Sequence, residues 1–402
     1  MAVEIQFVSS YSDIDESLWA GCFPHPLEGR FWYETLESCG LQDQFEFFYA
    51  LIRDGDRNIG IAPCFVHNVP MSLVAPPVLA NVLEKLSRVW PQAGFQRTLF
   101  VGSPCADEGT IGLMPGIKLD DIIVPLGQAV LVRAKKMRAA MVVFKDFPAL
   151  RRDKMNDLLL RQKYFRIPSY PGADLHLAGS SSEDYFAALG RKSRHNIRKK
   201  LRRSKEHLDL VTTFVKRPSD EELDQLFALF MQTYNKGKTK FERLSIEFFR
   251  RIRDTEPAWF ILQREKNSGK MLTFMLLFKL GDKAINKFIG LDYSQRPDSF
   301  LYFRQFEEAL NFAYSNNVKE LQSGQTGYSA KLELGHTLIK LDNYCRHTNA
   351  LMHVIYAKLA QDVSEESLDS DLAQYYAARR NKAEATNQVA QVANASDDVE
   401  AG

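Results

Sequence analysis

The sequence predicts an α/β (α+β) protein built from two tandem units, each a mixed sheet flanked by helices, with an acidic C-terminal tail. Three observations support this prediction. The chain has 402 residues, more than one typical domain. Segments with strand-like and helix-like hydrophobic periodicity alternate in both halves. After about residue 360 the composition shifts to small and polar residues. We therefore expect domains at residues 1–178 and 179–360, and a largely disordered tail at residues 361–402.

The first half begins with a predicted β-hairpin. Residues 46–53 and 58–66 have the apolar pattern of strands, and Asp54-Gly55 lies in the turn between them. Asp-Gly between two apolar runs is one of the strongest short-range hairpin signals. Two more strands with a helix between them are expected at residues 97–101, 126–138 and 140–144. The stretch 68–110 is rich in Pro and Gly and is predicted to be an inserted loop with a short helix near 79–90.

The second half repeats this alternation. Ser219 and Glu222 have the spacing of a capping box, so a helix is expected to begin there and run to about Tyr234. Ser245 is expected to open another helix. The remaining elements are three strands and a long helix, at residues 259–264, 270–280, 283–290 and 299–315. The similar order of elements suggests duplication, although no residue-level repeat is visible.

Charge and cysteine content argue against several classes of protein. The net charge is +2, of which the segment from Gln361 onward carries −6 and the remainder +8. This balance argues against a surface coated with nucleic acid. The five cysteines are scattered without a CxxC pair, which favours a reducing compartment and gives no sign of a metal site. Neither a signal peptide nor an apolar stretch long enough to span a bilayer is visible, so we expect a cytoplasmic protein.

The most unusual segment is basic. Nine of the fifteen residues from Arg191 to Lys205 are Lys or Arg. As a helix, the segment has a narrow apolar stripe and a neighbouring cationic face, formed by Arg191, Arg194, Arg198 and Arg202. Such a helix can dock on a core while its guanidinium groups bind phosphates of coenzyme A, of a nucleotide-linked acceptor or of an RNA acceptor stem. The alternative is a solvated charged helix without a ligand.

A glycine-rich stretch, residues 322–335, follows a short predicted strand near the end of the second half. Gly324 and Gly327 would let the backbone approach a ligand closely. Tyr328 and Lys331 lie three residues apart, on one side of a helical turn. Acyl transfer to an amine creates an oxyanion and expels a thiolate or an alkoxide, which a cation and a phenol can stabilise and protonate. On spacing alone, a plain strand-to-helix turn with a solvated Lys331 is the favoured alternative.

Several segments together resemble the FemAB-like branch of the GNAT acyltransferase superfamily. In the second half these are Arg-Lys-Ser-Arg-His-Asn-Ile-Arg-Lys, Phe-Ile-Gly-Leu-Asp, the helix after Ser299, and Gly-Tyr-Ser-Ala-Lys-Leu-Glu-Leu-Gly, at residues 191–199, 288–292, 299–315 and 327–335. Phe-Trp-Tyr-Glu-Thr-Leu-Glu and Ile-Gly-Ile-Ala-Pro, at residues 31–37 and 59–63, resemble the N-terminal half. The resemblance covers about residues 1–360 and implies two GNAT-like folds.

The resemblance also implies an activity, the transfer of an acyl or aminoacyl group to an amine. The donor would be an acyl-coenzyme A or an aminoacyl-tRNA as co-substrate, with no tightly bound cofactor, and the acceptor a small amine or a peptide. Lys331 would stabilise the acyl-transfer intermediate, and the basic helix would contribute Arg191, Arg194, Asn196 and Arg198. The long helical arm of the tRNA-dependent ligases and the usual GNAT pyrophosphate loop are not evident, so the donor stays open.

Two more residues are candidates for the site. Asp292 could accept the proton of the attacking amine, or could be a carboxylate that caps a turn. Tyr234 could line the acceptor pocket, or could be a half-buried residue at a helix end. The mechanism requires the basic helix and Lys331 to border one cavity. The alternative function is a non-catalytic module that binds RNA or an anionic membrane surface through the basic helix. The sequence does not predict the oligomeric state.

Overall fold

The computed structural model describes residues 3–70, 94–237, 242–381 and 384. Its fifteen strands are β1 Val3–Val8, β2 Phe45–Asp54, β3 Arg57–Pro70, β4 Phe95–Val101, β5 Gly112–Leu113, β6 Met141–Pro148, β7 Phe165–Pro168, β8 Gly172–His176, β9 Leu210–Val215, β10 Ala258–Glu265, β11 Met271–Leu280, β12 Lys283–Leu291, β13 Glu320–Gln322, β14 Thr337–Ile339 and β15 Leu341–His347. The predicted inserted helix at residues 79–90 lies outside the described residues.

The described residues form thirteen α-helices. They are α1 Glu16–Cys22, α2 Arg30–Ser38, α3 Leu119–Lys136, α4 Arg152–Leu160, α5 Ser182–Ala188, α6 Arg191–His207, α7 Asp220–Lys236, α8 Ile246–Ile252, α9 Leu301–Ser315, α10 Tyr328–Glu333, α11 Ala350–Leu359, α12 Glu365–Leu368 and α13 at residues 370–381. None of them is both long and apolar enough to cross a membrane.

The local signals in the sequence are confirmed. β2 and β3 pair as an antiparallel hairpin around Gly55, which adopts a positive φ of 58°. At the start of α7, Ser219 Oγ accepts from the Glu222 backbone N–H at 3.2 Å, and the Glu222 carboxylate accepts from the Ser219 N–H at 2.9 Å. α3 begins seven residues earlier than predicted, because Pro125 lies inside the helix rather than before it.

The strands form two mixed sheets, which confirms the predicted architecture. The first has the order β1-β2-β3-β4-β6-β15-β7, with β5 beside β3, and the second has the order β14-β8-β13-β12-β11-β10-β9. Each half contributes one strand to the other's sheet. β8 precedes residue 179 but lies between β14 and β13, whereas β15 comes from the second half and lies between β6 and β7. The predicted boundary at residue 178 does not anticipate this exchange.

One of the hydrophobic core clusters contains buried residues of both halves. Trp32 on α2 is fully buried, and its ring meets the edges of Phe248 and Phe278 from the second half at centroid distances of 5.9 and 5.7 Å. Aromatic pairs in this geometry add to the free energy of simple burial. Aromatic residues of the two halves therefore pack directly against each other at the boundary between them. We call this boundary the seam.

The first part of the predicted tail is ordered. Leu372 on α13 is fully buried, and Asp371 accepts from the Ser329 backbone N–H at 3.0 Å. The Tyr170 hydroxyl donates to the Leu368 carbonyl at 3.1 Å. These contacts attach α12 and α13 to residues of both halves, so the tail is not disordered throughout. The prediction of disorder for its remainder falls on residues outside those described.

Candidate functional site

The arginine-rich segment forms α6, as expected. Ile197 and Leu201 are 1% and 6% exposed and pack in the core under α9. Ser204, one turn further, is buried and donates its hydroxyl to the Ser299 carbonyl at 2.5 Å. α6 therefore docks by a narrow stripe and leaves most of its circumference to solvent, which is the arrangement that its sequence pattern predicts.

The long side chains on the exposed side of α6 border an open space of about 970 Å³, which we call the groove. It is lined by Arg191, Lys192, Arg194, His195, Asn196, Arg198, Lys199 and Arg202. Arg198 pairs with Glu183 at 3.3 Å, and Arg194 donates to the Ala187 carbonyl at 2.6 Å. Arg191, Lys192 and Lys199 form no ion pair with any residue that the structure describes. An anion in the groove could therefore recruit several cations without breaking existing pairs.

Lys331 on α10 is buried, so the alternative of a solvated lysine is wrong. Lys331 is only 7% exposed. Its Nζ donates to the Gly324 and Gln325 carbonyls at 3.0 and 3.2 Å. Among the described residues no carboxylate forms an ion pair with it. Burial lowers the pKa of Lys331 to about 8, and the charge of Asp107 only partly opposes this. The amine can therefore exchange a proton near neutral pH.

The glycine-containing loop before α10 lies close to the first half. Gly324 and Gly327 adopt positive φ values of 53° and 64°. A Cβ atom on Gly324 would lie 2.8 Å from Asp107 Oδ1, which belongs to the first half. Glycine is favoured there, because a side chain would be strained by the positive φ and would require the Asp107 carboxylate to move. Gly327 precedes α10 as its N-cap in the left-handed region.

A buried charge cluster lies in the seam beside this loop. Lys287 on β12 contacts Glu28 at 2.5 Å and Asp107 at 3.0 Å, and its amine lies 4.5 Å from the centroid of the Trp32 ring. Although burial opposes it, Asp107 and Glu28 raise the pKa of Lys287 above its usual range. The cluster therefore keeps a permanent cation between the halves, and both carboxylates come from the first half.

A further carboxyl, Glu242, lies in the field of the same cluster. Burial raises its pKa to about 7, while Lys145 and Lys287 pull the pKa downward. In addition, Gln322 at the end of β13 donates to Glu108 of the first half at 2.9 Å. The seam thus places several titratable groups of both halves around the loop that holds Lys331.

The other predicted site residues have different surroundings. The Tyr328 hydroxyl is buried and donates to the Pro171 carbonyl at 2.9 Å, and burial raises its pKa above the usual range. Burial alone would raise the pKa of Asp292, but hydrogen bonds from Lys270 and Ser294 lower it to about 2. These are the contacts of the turn carboxylate that the sequence left as the alternative. Tyr234 is half-buried and stacks on Phe230 at a centroid distance of 6.3 Å.

The basic helix and Lys331 are neighbours but face different ways. Lys200 on α6 forms an ion pair with Glu333 on α10. Glu333 lies two residues beyond Lys331, about 200° around the helix axis, so the two side chains leave α10 on opposite sides. Lys331 does not line the groove on α6. The expected shared cavity is therefore not provided by this groove.

Several residues of the seam were not singled out from the sequence. Lys287 carried a weak signal, because an isolated lysine within the apolar strand β12 needs buried partners. Its partners Glu28 and Asp107 lie in loops more than 170 residues away in the sequence, and nothing local marks them. The structure also places His336, which no motif marks, beside Lys331. The described residues contain no group of His, Cys, Asp or Glu arranged to hold a metal.

Comparison with known proteins finds similarity in structure only. No family model and no curated protein sequence matches the chain. The crystal structure of FemX is 12% identical over 88% of this chain and 100% of that one, with a TM-score of 0.54. A conserved protein of unknown function from Bacteroides thetaiotaomicron is 13% identical over 85% of this chain and 99% of that one, with a TM-score of 0.52. At these identities the likeness concerns the fold, and it confirms the fold that the resemblance implied.

Proposed function

We propose, from a fold that is FemAB-like and of the GNAT superfamily, that this protein transfers an acyl or aminoacyl group to an amine. The donor is a coenzyme A ester or a charged tRNA, and the acceptor is a small amine or a peptide. The observation that carries the proposal is the amine of Lys331. It is buried, lacks a carboxylate partner among the described residues, and has a pKa of about 8.

Acyl transfer to an amine needs a cation that can stabilise an oxyanion and donate a proton. The lone pair of the acceptor nitrogen attacks the acyl carbon, and a C–N bond forms while the carbonyl oxygen becomes an oxyanion. The intermediate then breaks its C–S or C–O bond to the carrier, and the nitrogen loses a proton that neutralises the leaving thiolate or alkoxide. The ammonium of Lys331 stabilises the oxyanion, and its lowered pKa suits it to donate a proton. No covalent enzyme intermediate is required.

Two unpartnered polar atoms near the loop support this assignment. Asn286 Oδ1 on β12 and Gln325 Nε2 in the loop are buried without a hydrogen-bond partner in the described part of the chain. Buried polar groups without partners are uncommon and costly. An acyl-transfer intermediate offers an N–H donor and an anionic oxygen, which would satisfy an amide oxygen and an amide N–H respectively. β12 and the loop together therefore supply the two hydrogen-bonding functions that the intermediate needs.

In this proposal α6 binds the phosphates of the donor. The groove does not include Lys331, so this proposal gives up the requirement that α6 and Lys331 border one cavity. In both candidate donors the phosphates are separated from the acyl carbon by several other atoms, so the two sites can lie apart. Guanidinium groups suit this task, since they bind phosphate in a bidentate manner. Arg191, Arg194, Asn196 and Arg198 take this role, with Lys192 and Lys199 beside them.

The test separates binding from chemistry. Acetyl-coenzyme A and charged tRNA are screened by thermal shift, where a ligand at one hundred times its Kd stabilises the folded state by about 2.7 kcal/mol. Turnover is then measured by mass spectrometry of acylated amines. Lys331→Met is expected to keep the thermal shift but lose at least about a hundredfold in turnover. Arg194→Ala is expected to weaken the shift. Lys358→Met, at an exposed lysine on α11, is the control. Unchanged turnover in Lys331→Met would contradict the proposal.

The second candidate function is non-catalytic binding of RNA or of an anionic membrane through α6. The separation of the groove from Lys331 favours it, because the groove could act alone. It predicts strongly salt-dependent binding with no mass change in any acceptor. Acylated product in the presence of either donor would rule it out as the sole function.

A further inference from the structure

A chain of hydrogen bonds connects β12 to the backbone of Lys331. Asn286 Nδ2 lies 2.9 Å from Ser323 Oγ, and Ser323 Oγ lies 2.9 Å from His336 Nε2. The other ring nitrogen, Nδ1, lies 2.9 Å from the carbonyl oxygen of Lys331. Ser323 and His336 are 6% and 5% exposed, so water does not compete for these bonds.

The chemistry of the groups at each end determines which atom donates in each of these hydrogen bonds. A carbonyl oxygen only accepts, so His336 Nδ1 carries the proton and donates to Lys331. Burial, with the charge of Lys331, lowers the pKa of His336 to about 3, so the ring is neutral and Nε2 is an acceptor. The Ser323 hydroxyl therefore donates to Nε2 and accepts from the Asn286 amide. Every donor points toward α10, and each member has one defined role.

These hydrogen bonds reach both the backbone and the amine of Lys331. The Lys331 carbonyl accepts from His336 twice, from the ring Nδ1 and from the backbone N–H at 3.0 Å. The acceptors of its amine, the Gly324 and Gln325 carbonyls, follow directly after Ser323. Ser323 is itself fixed to the sheet, since its backbone N–H donates to the Ala173 carbonyl at 2.8 Å. The ring of His336 also packs on Phe306 of α9 at a centroid distance of 5.4 Å. Moving the serine or the imidazole would displace the carbonyls that hold the amine.

We propose that His336 and Ser323 are positioning residues, which hold the Lys331 amine at the place where the acyl-transfer intermediate forms. The proposal rests on the proposed function for its chemical consequence, but the geometry that it asserts is independent of it. His336 acts as a neutral bridge rather than as an acid or a base. A lysine held only by two carbonyls, with no carboxylate ion pair among the described residues, depends on such support to keep its place.

The first experiment measures the placement of the amine without reference to activity. Wild type, His336→Phe and Ser323→Ala are treated with a limiting amount of acetic anhydride, and labelling of each lysine is followed by mass spectrometry. His336→Phe keeps an aromatic ring against Phe306, removes both hydrogen bonds of the imidazole and leaves the backbone hydrogen bond to the Lys331 carbonyl in place. We expect Lys331 to be labelled at least about tenfold faster in both variants, because its amine leaves the carbonyl pair. Lys287, buried in the seam, is the internal control and should be labelled at an unchanged rate.

The second experiment is a double-mutant cycle on turnover. His336→Phe and Ser323→Ala are expected to lower kcat at least tenfold and to change the KM for the donor less than twofold. In the Lys331→Met background the same changes should have no further effect, since they act through Lys331. An equal additional loss in that background would overturn the positioning role, as would unchanged labelling of Lys331. Faster labelling at both Lys331 and Lys287 would show general loosening and would also overturn it.

The two proposals fail separately. If labelling of Lys331 accelerates but Lys331→Met turns over like wild type, positioning stands and the proposed chemistry fails. If Lys331→Met is inactive but neither His336→Phe nor Ser323→Ala alters labelling or kcat, the chemistry stands and the positioning role fails.

Discussion

The amine of Lys331 is held by backbone carbonyls rather than by a carboxylate. Carbonyl groups stabilise an ammonium less than a carboxylate does, so burial dominates and the pKa falls to about 8. The contrast with Lys287 is informative, since that lysine is equally buried but has two carboxylate partners, and its pKa moves upward. Lys331 can therefore titrate near pH 8, whereas Lys287 keeps its positive charge.

The charge state of Lys331 gives a pH prediction. If its ammonium stabilises the oxyanion, the advantage of wild type over Lys331→Met should be constant well below pH 8. Above pH 8 the ammonium loses its proton, so this ratio of kcat/KM should fall, approaching tenfold per pH unit. Taking the ratio cancels the ionisation of the acceptor amine, which both proteins share. Rates measured between pH 6.5 and 10 test this, and a ratio that does not change with pH contradicts it.

Glu242 gives a prediction about stability. Its folded-state pKa of about 7 lies above the ordinary value of 4.5, so the folded state holds the proton more tightly than the unfolded state. Stability is therefore lost as the pH rises from the unfolded to the folded pKa. Glu242→Gln removes this loss. The free energy of unfolding of the variant, relative to that of wild type, should therefore rise by roughly 1–3 kcal/mol between pH 4.5 and pH 7. Urea unfolding at several pH values measures the difference, and parallel pH profiles for the two proteins would refute the assignment.

At the scale of elements, the helices were more predictable than the strands. α6, α7 and α9 have periodic apolar faces, and capping residues mark the start of α7. The sequence predicts a short strand just before residue 322, which overlaps β13, but it predicts no strand at β14, whose three residues are too few for periodicity to be detected. Their pairing with β8 joins segments more than 140 residues apart, and it depends on the assembled core. Lys331 was found through its glycine-flanked motif, whereas His336, Ser323 and Asp107 acquire their meaning only from tertiary contacts.

The cationic face of α6 predicts how donor binding depends on salt. Each cation that neutralises a phosphate contributes about 0.7–0.9 to the slope of log K against log salt for a nucleic-acid ligand. Lys192→Gln with Lys199→Gln removes two groove cations that form no ion pair with described residues. The slope for charged tRNA should then fall by about 1–2. Lys135→Gln with Lys136→Gln, at the exposed end of α3, is a matched double control that should leave the slope unchanged. Equal slopes in all three proteins would exclude Lys192 and Lys199 from the donor site.

At the scale of the whole molecule, the two halves are interlocked. β15 passes from the second half into the middle of the first sheet, and β8 passes the other way. Ion pairs also join the exchanged strand to the first half. The buried Asp342 on β15 pairs with Arg152 at the start of α4 and with Arg166 on β7. The sequence predicted two successive units because local patterns follow chain order. It could not show the exchange, since the pairing of β15 with β6 spans about 200 residues.

The exchange predicts that the halves do not fold independently. A fragment of residues 1–178 lacks β15, so β6 and β7 lose the strand between them, and β8 loses both of its partners. Exposed strand edges of this kind favour aggregation over a stable fold. We expect the full chain to unfold in one transition, with far-UV circular dichroism and tryptophan fluorescence coinciding. The fragment should show no cooperative transition and should be cleaved rapidly by protease. Extending it through residue 347 restores the missing strands and should recover cooperativity. A fragment of residues 1–178 that unfolds cooperatively in urea would mean that the first sheet is stable without β15 and that the exchange contributes little to folding.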